Sequence, residues 1–376
     1  MTTQSPPRST HHAEPTHEPP AALRVTGILI ALAAALALIA IAFALPAAKS
    51  KPHDVPIGTV GPQAVTGQIA DVLQRTAPGA FAVTIYPNEA ELRTAIRDRE
   101  VYGGLSFGQQ GPTLLTATGA SPAVAQLLSQ VGNGISQQAG APLHAEDLAP
   151  PPAGDQRGTG LAAAALPVTL AGLLPVIVLT MMIPLGVWAR FAAIAAFSGL
   201  AGITIAVVLR YVLGSIDQNF WAVAGGLALG ALAVAVFVLG LASLFGRVGL
   251  VLGALLALLL GNPLSGMTSA PEMLPAGWGG LGQFLPQGAN ATLLRSTAFF
   301  DGAGASTPIA VLVCWAVVGA LIVVIAAQRL QVEKFRVSAE SDAPGHPVPR
   351  DVPQSPLAAA TSFRPRWTPD AHRAAG

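Results

Sequence analysis

The chain has 376 residues, 52% of them hydrophobic and 10% charged, with a formal net charge of +1. Soluble domains are about 25% charged, so this composition excludes the ordinary soluble class and places the chain in a lipid bilayer. The near-neutral balance gives no nucleic-acid signal. The single cysteine, Cys314, excludes an intrachain disulfide and a cysteine-based zinc site.

Residues 1–23 are rich in Pro, Ser, Thr and mixed charges, and read as a disordered tail. Within it "HHAEPTHE" (11–18) is expected to be a solvated cluster rather than a metal site. The first apolar run, residues 25–45, lies between Arg24 and Lys49 and spans about 31 Å as a helix. It is too long for a signal peptide's apolar region, and "FALPAAKS" offers a poor cleavage site. An uncleaved transmembrane helix over 24–46 is expected.

Residues 47–157 carry most of the alternating patterns in the chain. "VPIGTV" reads as a strand, and Val65, Ile69, Val72 and Leu73 recur at helical spacing. "FAVTIY" reads as a second strand, and Asn88 caps a helix over 89–99 with Leu92, Ala95 and Ile96 buried. "VYGGLSF" and "PTLLTAT" flank "GQQG" as a hairpin. Ser121-Pro122 opens a last helix. The expected order is βαβαββα, a small α/β extracytoplasmic domain. Glu89, Glu91, Asp98 and Glu100 alternate with Arg93, Arg97 and Arg99, which reads as a solvated helix face rather than paired catalytic carboxylates. His53 and His144 are single residues in loop-like stretches. There is no GxSxG, HExxH or Gly-rich phosphate loop, so no catalytic site, cofactor or metal is expected.

A five-helix transmembrane domain is expected over 158–329. Its spans fall at 161–186, with Pro167, Pro175 and Pro184 as kinks, then at 191–212, 220–244, 248–264 and 307–328. With the first helix that makes six. Arg24, Arg190, Arg247 and Arg329 fall on one side if both termini are cytoplasmic; Arg210 and Arg295 fall on the other. Trp188, Arg190 and Arg247 are then the candidate cytoplasmic partner-facing residues. No ionisable side chain lies within a span, which argues against a proton relay. None of Lys49, Lys51 and Lys334 stands in a P-loop context, so ATP hydrolysis on this chain is not expected. Gly226/Gly230 and Gly249/Gly253 have GxxxG spacing, which serves either a homodimer face or packing within the bundle.

Between the last two spans lies "SAPEMLPAGWGGLGQFLPQG" (269–288), too apolar for a hydrated loop and too broken for a span. Two readings fit residues 263–306: short helices re-entering the outer leaflet, or an amphipathic segment lying flat on it. Pro271, Glu272, Leu274, Pro275, Trp278, Pro286 and Arg295 are the candidate functional residues of this outer element. Residues 330–376 read as a second disordered cytoplasmic tail.

The layout of one helix, an outer domain and five further helices resembles the ABC-2-type transporter permease superfamily, in the YhgE/Pip-like branch. "AVTIYPNEAELRTAIRDREVYGGLSF" and "PEMLPAGWGGLGQFLPQGANATLLR" carry the likeness. It implies an outer re-entrant hairpin before the last helix, mapping onto Pro271, Glu272, Leu274, Pro275, Leu285, Pro286, Leu294 and Arg295. It also implies export of an amphipathic or lipid-like substrate across a bacterial plasma membrane, by a dimer coupled to a separate ATP-binding subunit. One departure stands out: that superfamily docks its ATPase on a coupling helix between the second and third spans, where this chain offers only "GVWAR" (186–190). The alternative is a non-transporting membrane protein whose outer domain binds a protein or envelope partner.

Overall fold

The computed structural model describes residues 21–108 and 111–341. Among these residues the chain is mostly helical, with five helices long and apolar enough to cross a membrane and one small sheet. The first, α1 (Ala21–Ala48), exposes nearly all its large side chains, among them Leu29, Ile30, Leu36 and Phe43. Each would cost about 1.5–3 kcal/mol in water, a penalty that a hydrocarbon surrounding removes.

The α/β domain runs β1 (Val55–Val60), α2 (Gln63–Thr76), β2 (Phe81–Ile85), α3 (Glu89–Arg97), β3 (Gly103–Gly108), β4 (Gly111–Thr116), α4 (Pro122–Ala139) and β5 (His144–Asp147). The five strands lie in the order β2-β1-β3-β4-β5, antiparallel only between β3 and β4. The sequence order βαβαββα is thus one strand short. "HAED" has no apolar alternation and forms a largely exposed edge, held through pairing with β4 and through Glu146, which accepts from Arg93 at 2.6 Å. The two residues joining β3 and β4 in the expected "GQQG" turn lie outside the described residues.

Alternation along the strands builds two cores. Ile57, Leu105 and Leu114 face α2 and α4, whereas Leu115 faces Leu92 and Ile96 of α3 together with Phe300 from far along the chain. Gly58 and Gly104 sit opposite each other on β1 and β3. A Cβ at either would run into Leu92, so these glycines let α3 lie close on the sheet. Both expected caps are made: Asn88 Oδ1 accepts from Glu91 N at 2.9 Å, and Ser121 Oγ accepts from Val124 N at 3.3 Å.

The second apolar segment comprises α5 (Gly160–Ala163) and α6 (Ala165–Met181). It stops at Met181 rather than 186, since Pro184 denies an amide to the turn behind it. Next come α7 (Val187–Val207), which widens into a π-turn through Val212, and α8 (Phe220–Leu255), which passes through another π-turn to Gly261. The Phe220–Gly261 stretch has 42 residues, or about 63 Å if straight, twice a hydrocarbon core. It is not straight. Gly246 takes φ +61° and ψ −136° inside it, a conformation open to glycine. Beyond that residue Gly249 lies against Leu241, and Gly253 against Val238. Residues 8 and 15 apart touch only where a helix has folded back on itself.

The same contacts settle what the glycine pairs pack against. Gly226 meets Leu293 and Leu294, Gly230 meets Asn290, and the Gly249/Gly253 pair meets the preceding arm of α8. All four are used within the chain.

Between the fold-back and the last helix come a 3₁₀ turn (Pro271–Met273), α9 (Trp278–Gln283) and α10 (Pro286–Phe299). α10 is buried along most of its length, from Pro286 to Ala298, which a helix lying flat on a bilayer would not be. Asn290 Nδ2 donates to Gly226 O at 2.7 Å, and Trp315 Nε1 donates to Phe284 O at 2.7 Å. The last helix, α11 (Ser306–Ser341), continues well past 330, where the sequence suggests a tail. "LQVEKFRVSAES" (330–341) has no Pro or Gly to stop it. The remainder of that tail, and residues 1–20 with "HHAEPTHE", lie outside the described residues.

Candidate functional site

The loop after α8 turns back at Gly266, and Pro271 opens the 3₁₀ turn that carries Glu272. This turn is stitched to the linker between α1 and β1. Lys51 N donates to Met273 O at 3.1 Å, His53 N to Glu272 O at 2.9 Å, and Ser50 Oγ to Met273 O at 2.8 Å. The Glu272 carboxylate accepts from the Tyr102 hydroxyl at 2.7 Å. Tyr102 stands just before β3, 170 positions earlier in the chain.

Arg99 completes the arrangement. The sequence assigns it to the solvated face of α3, but that helix ends at Arg97 and Arg99 adopts φ +63°. Such a conformation is uncommon for a residue other than glycine, and here it turns the side chain off the helix. Its Nη1 donates to Thr292 O at 2.9 Å and to the Ser296 hydroxyl, and its guanidinium lies 5.2 Å from the centre of the Phe300 ring. Burial pushes the Arg99 guanidinium down to about 10, helped by the like charge of Arg295 and opposed by Tyr102 and Glu272; it stays a cation at neutral pH. Burial, then the Glu272 charge, pushes the Tyr102 phenol up, so this hydroxyl is a fixed donor.

A cavity of about 590 Å³ lies over these groups, between the α/β domain and residues 271–304, within the size range of small-molecule sites. Arg99, Tyr102 and Glu272 line it with His53, Asp54 and Glu100. Gln283 reaches it from α9. Its Oε1 accepts from Thr292 Oγ1 at 2.6 Å, while its Nε2, like His53 Nδ1, is buried with no protein partner. The lining thus offers three carboxylates against one guanidinium. A group that carries a positive charge fits that pattern.

The candidates read from sequence divide into three sets. Glu272 is central, Pro271 and Pro275 shape the rim, and Leu274 is buried beneath it. Trp278 opens α9 and is 36% exposed, and Pro286 opens α10. Arg295 is fully buried, with Nη2 donating to the carbonyls of Gly266, Met267 and Ser269 at 3.0, 2.7 and 3.1 Å; it holds the loop that presents Glu272.

Trp188, Arg190 and Arg247 are not part of this cavity's lining. Trp188 is exposed and stacks edge-on with Phe191, Arg190 Nη2 reaches Ile183 O at 3.4 Å, and Arg247 follows the Gly246 break. Sequence reasoning missed Arg99, Tyr102 and Gln283, whose roles depend on partners from other elements. Among the described residues no three His, Cys, Asp or Glu side chains cluster as metal ligands. Comparison with protein-family models, curated proteins and solved structures finds no match to this chain.

Proposed function

We propose that this chain is a permease-like protein of the bacterial plasma membrane, related to the ABC-2 type and its YhgE/Pip-like branch. In this reading it exports an amphipathic or lipid-like substrate using a separate ATP-binding subunit. The carrying observation is the 590 Å³ cavity where the α/β domain meets residues 271–304, with Glu272, Tyr102 and Arg99 in its lining. Counting the fold-back at Gly246 as a reversal gives six crossings, which supports cytoplasmic termini and an extracytoplasmic α/β domain by the distribution of arginines. α10 is then the re-entrant helix, and the cavity opens on the outer face.

One observation favours a second reading, a non-transporting receptor for an envelope partner. The connection between α6 and α7 is only residues 182–186, and the arms of α8 meet at a single glycine. Neither offers a coupling helix. Purification of the intact chain in mild detergent, followed by vesicle efflux measurements, separates the two. Transport requires a co-purifying ATP-binding protein and ATP-dependent release of an amphiphile that Glu272→Ala abolishes. If neither is found, the transport reading fails. Deletion of residues 50–157 should then remove partner binding while the spans still insert.

A further inference from the structure

A second cavity, of about 420 Å³, lies where the α/β domain meets the start of the Gly160–Met181 span. Its charged lining is Arg157 and Arg295 alone: no carboxylate among the described residues lines it. Arg295 is 4% exposed and gives only Nη2 to protein carbonyls. Its other N–H groups have no protein acceptor among the described residues, and the side chain lines the cavity. The Glu272 charge acts on Arg295, but Glu272 does not line this cavity, so an anion entering it would meet two guanidiniums and no carboxylate.

The surroundings define which anion. Two acids bonded to the rim are committed to the frame. Asp147 accepts from the amides of Thr118 and Ala149, both at 3.1 Å, and Asp155 accepts from those of Thr159 and Gly160 at 3.0 and 2.7 Å. These bonds to backbone amides fix the two rims. The hydroxyls of Thr118 and Thr268 add uncharged donors from two other segments. Donors converging from four segments suit a tetrahedral oxyanion with several acceptor oxygens better than a planar carboxylate with two. The remaining wall is apolar, with Leu161 at the start of the span and Phe299 at the end of α10.

We propose that this cavity binds a phosphate group, with Arg295 and Arg157 on its oxygens, and that the apolar wall takes the chain of an amphiphile that bears it. The site is distinct from the Glu272 cavity and does not depend on transport.

The test uses the full chain in nanodiscs of zwitterionic lipid, with binding measured by calorimetry. The probes are dihexanoyl phosphatidic acid and inorganic phosphate. Saturable binding of the phospholipid, weakened about tenfold or more by Arg157→Glu, supports the proposal. Comparable, equally sensitive binding of inorganic phosphate supports it with free phosphate as the source. Arg157 is exposed, so its replacement leaves the fold intact, whereas Arg295→Gln also disturbs the loop it holds. Absence of saturable binding for both probes, or affinity unchanged in Arg157→Glu, overturns it.

Discussion

The two cavities meet the same helix and the same domain, but their linings are opposite in charge. Thr292 of α10 faces one, where Asp54, Glu100 and Glu272 outnumber Arg99. Arg295 and Phe299 of that helix face the other, which has two guanidiniums and no carboxylate among the described residues. The difference shows two ways of keeping a buried cation. Arg99 has a ring face, a carbonyl, a hydroxyl and the nearby Glu272 charge. Arg295 shares the Glu272 charge but has no ring face or hydroxyl, and is held by the dipoles of three carbonyls. A lining of the first kind accommodates mixed charge, whereas one of the second attracts an anion.

The sharpest way to break this contrast is Arg295→Leu. It removes the donor of the Met267 and Ser269 carbonyls, whereas Gly266 O keeps the Ser269 amide at 3.2 Å. Even after the relief of a desolvated charge, a net loss of about 3 kcal/mol is expected, read as a large drop in thermal midpoint. An unchanged midpoint would mean the carbonyl cage does not hold the loop.

A smaller effect is expected at the other cavity. Tyr102→Phe removes one hydrogen bond to a carboxylate, about 1.5–3 kcal/mol, while the backbone bonds of residues 51 and 53 to the 272–273 turn remain. Thermal unfolding of both variants side by side gives the order; a Tyr102→Phe loss exceeding that of Arg295→Leu would reverse the comparison.

The smallest effect concerns the strand behind the second cavity. The Arg93 hydrogen bond holds the Glu146 carboxyl below its ordinary 4.5. A carboxyl depressed in the folded state contributes stability above its unfolded value and loses it as pH falls through the folded one. Below pH 4.5, β5 should therefore loosen, and with it the Asp147 bond to Thr118 N. Hydrogen exchange at β5 should rise in acid before exchange at β1 and β3 does; simultaneous opening would show that this pair does not govern the edge.

Much of the fold was legible because its signals are local. The Asn88 and Ser121 caps, the β3–β4 hairpin and the buried face of α3 each follow from a few neighbouring residues. β5 was not legible, because an exposed edge strand needs no apolar alternation and takes its register from β4. At the site, Glu272 could be picked out as a lone charge in an apolar stretch. Arg99 could not, since its neighbours Arg93 and Arg97 do lie on a helix face and only its positive φ separates it from them.

By itself the sequence determined the membrane class, the approximate apolar spans and most of the α/β elements, because hydrophobic run length and periodicity decide those locally. The sequence also separated the 220–244 and 248–264 spans around Arg247; only the tertiary structure decided that the helix breaks at Gly246, that its glycines pack within the chain, and that Tyr102 meets Glu272. The signs of the two cavities belong to that second category. A cavity's charge is the sum over side chains from distant segments, and no local pattern along the chain encodes which of them will share a wall.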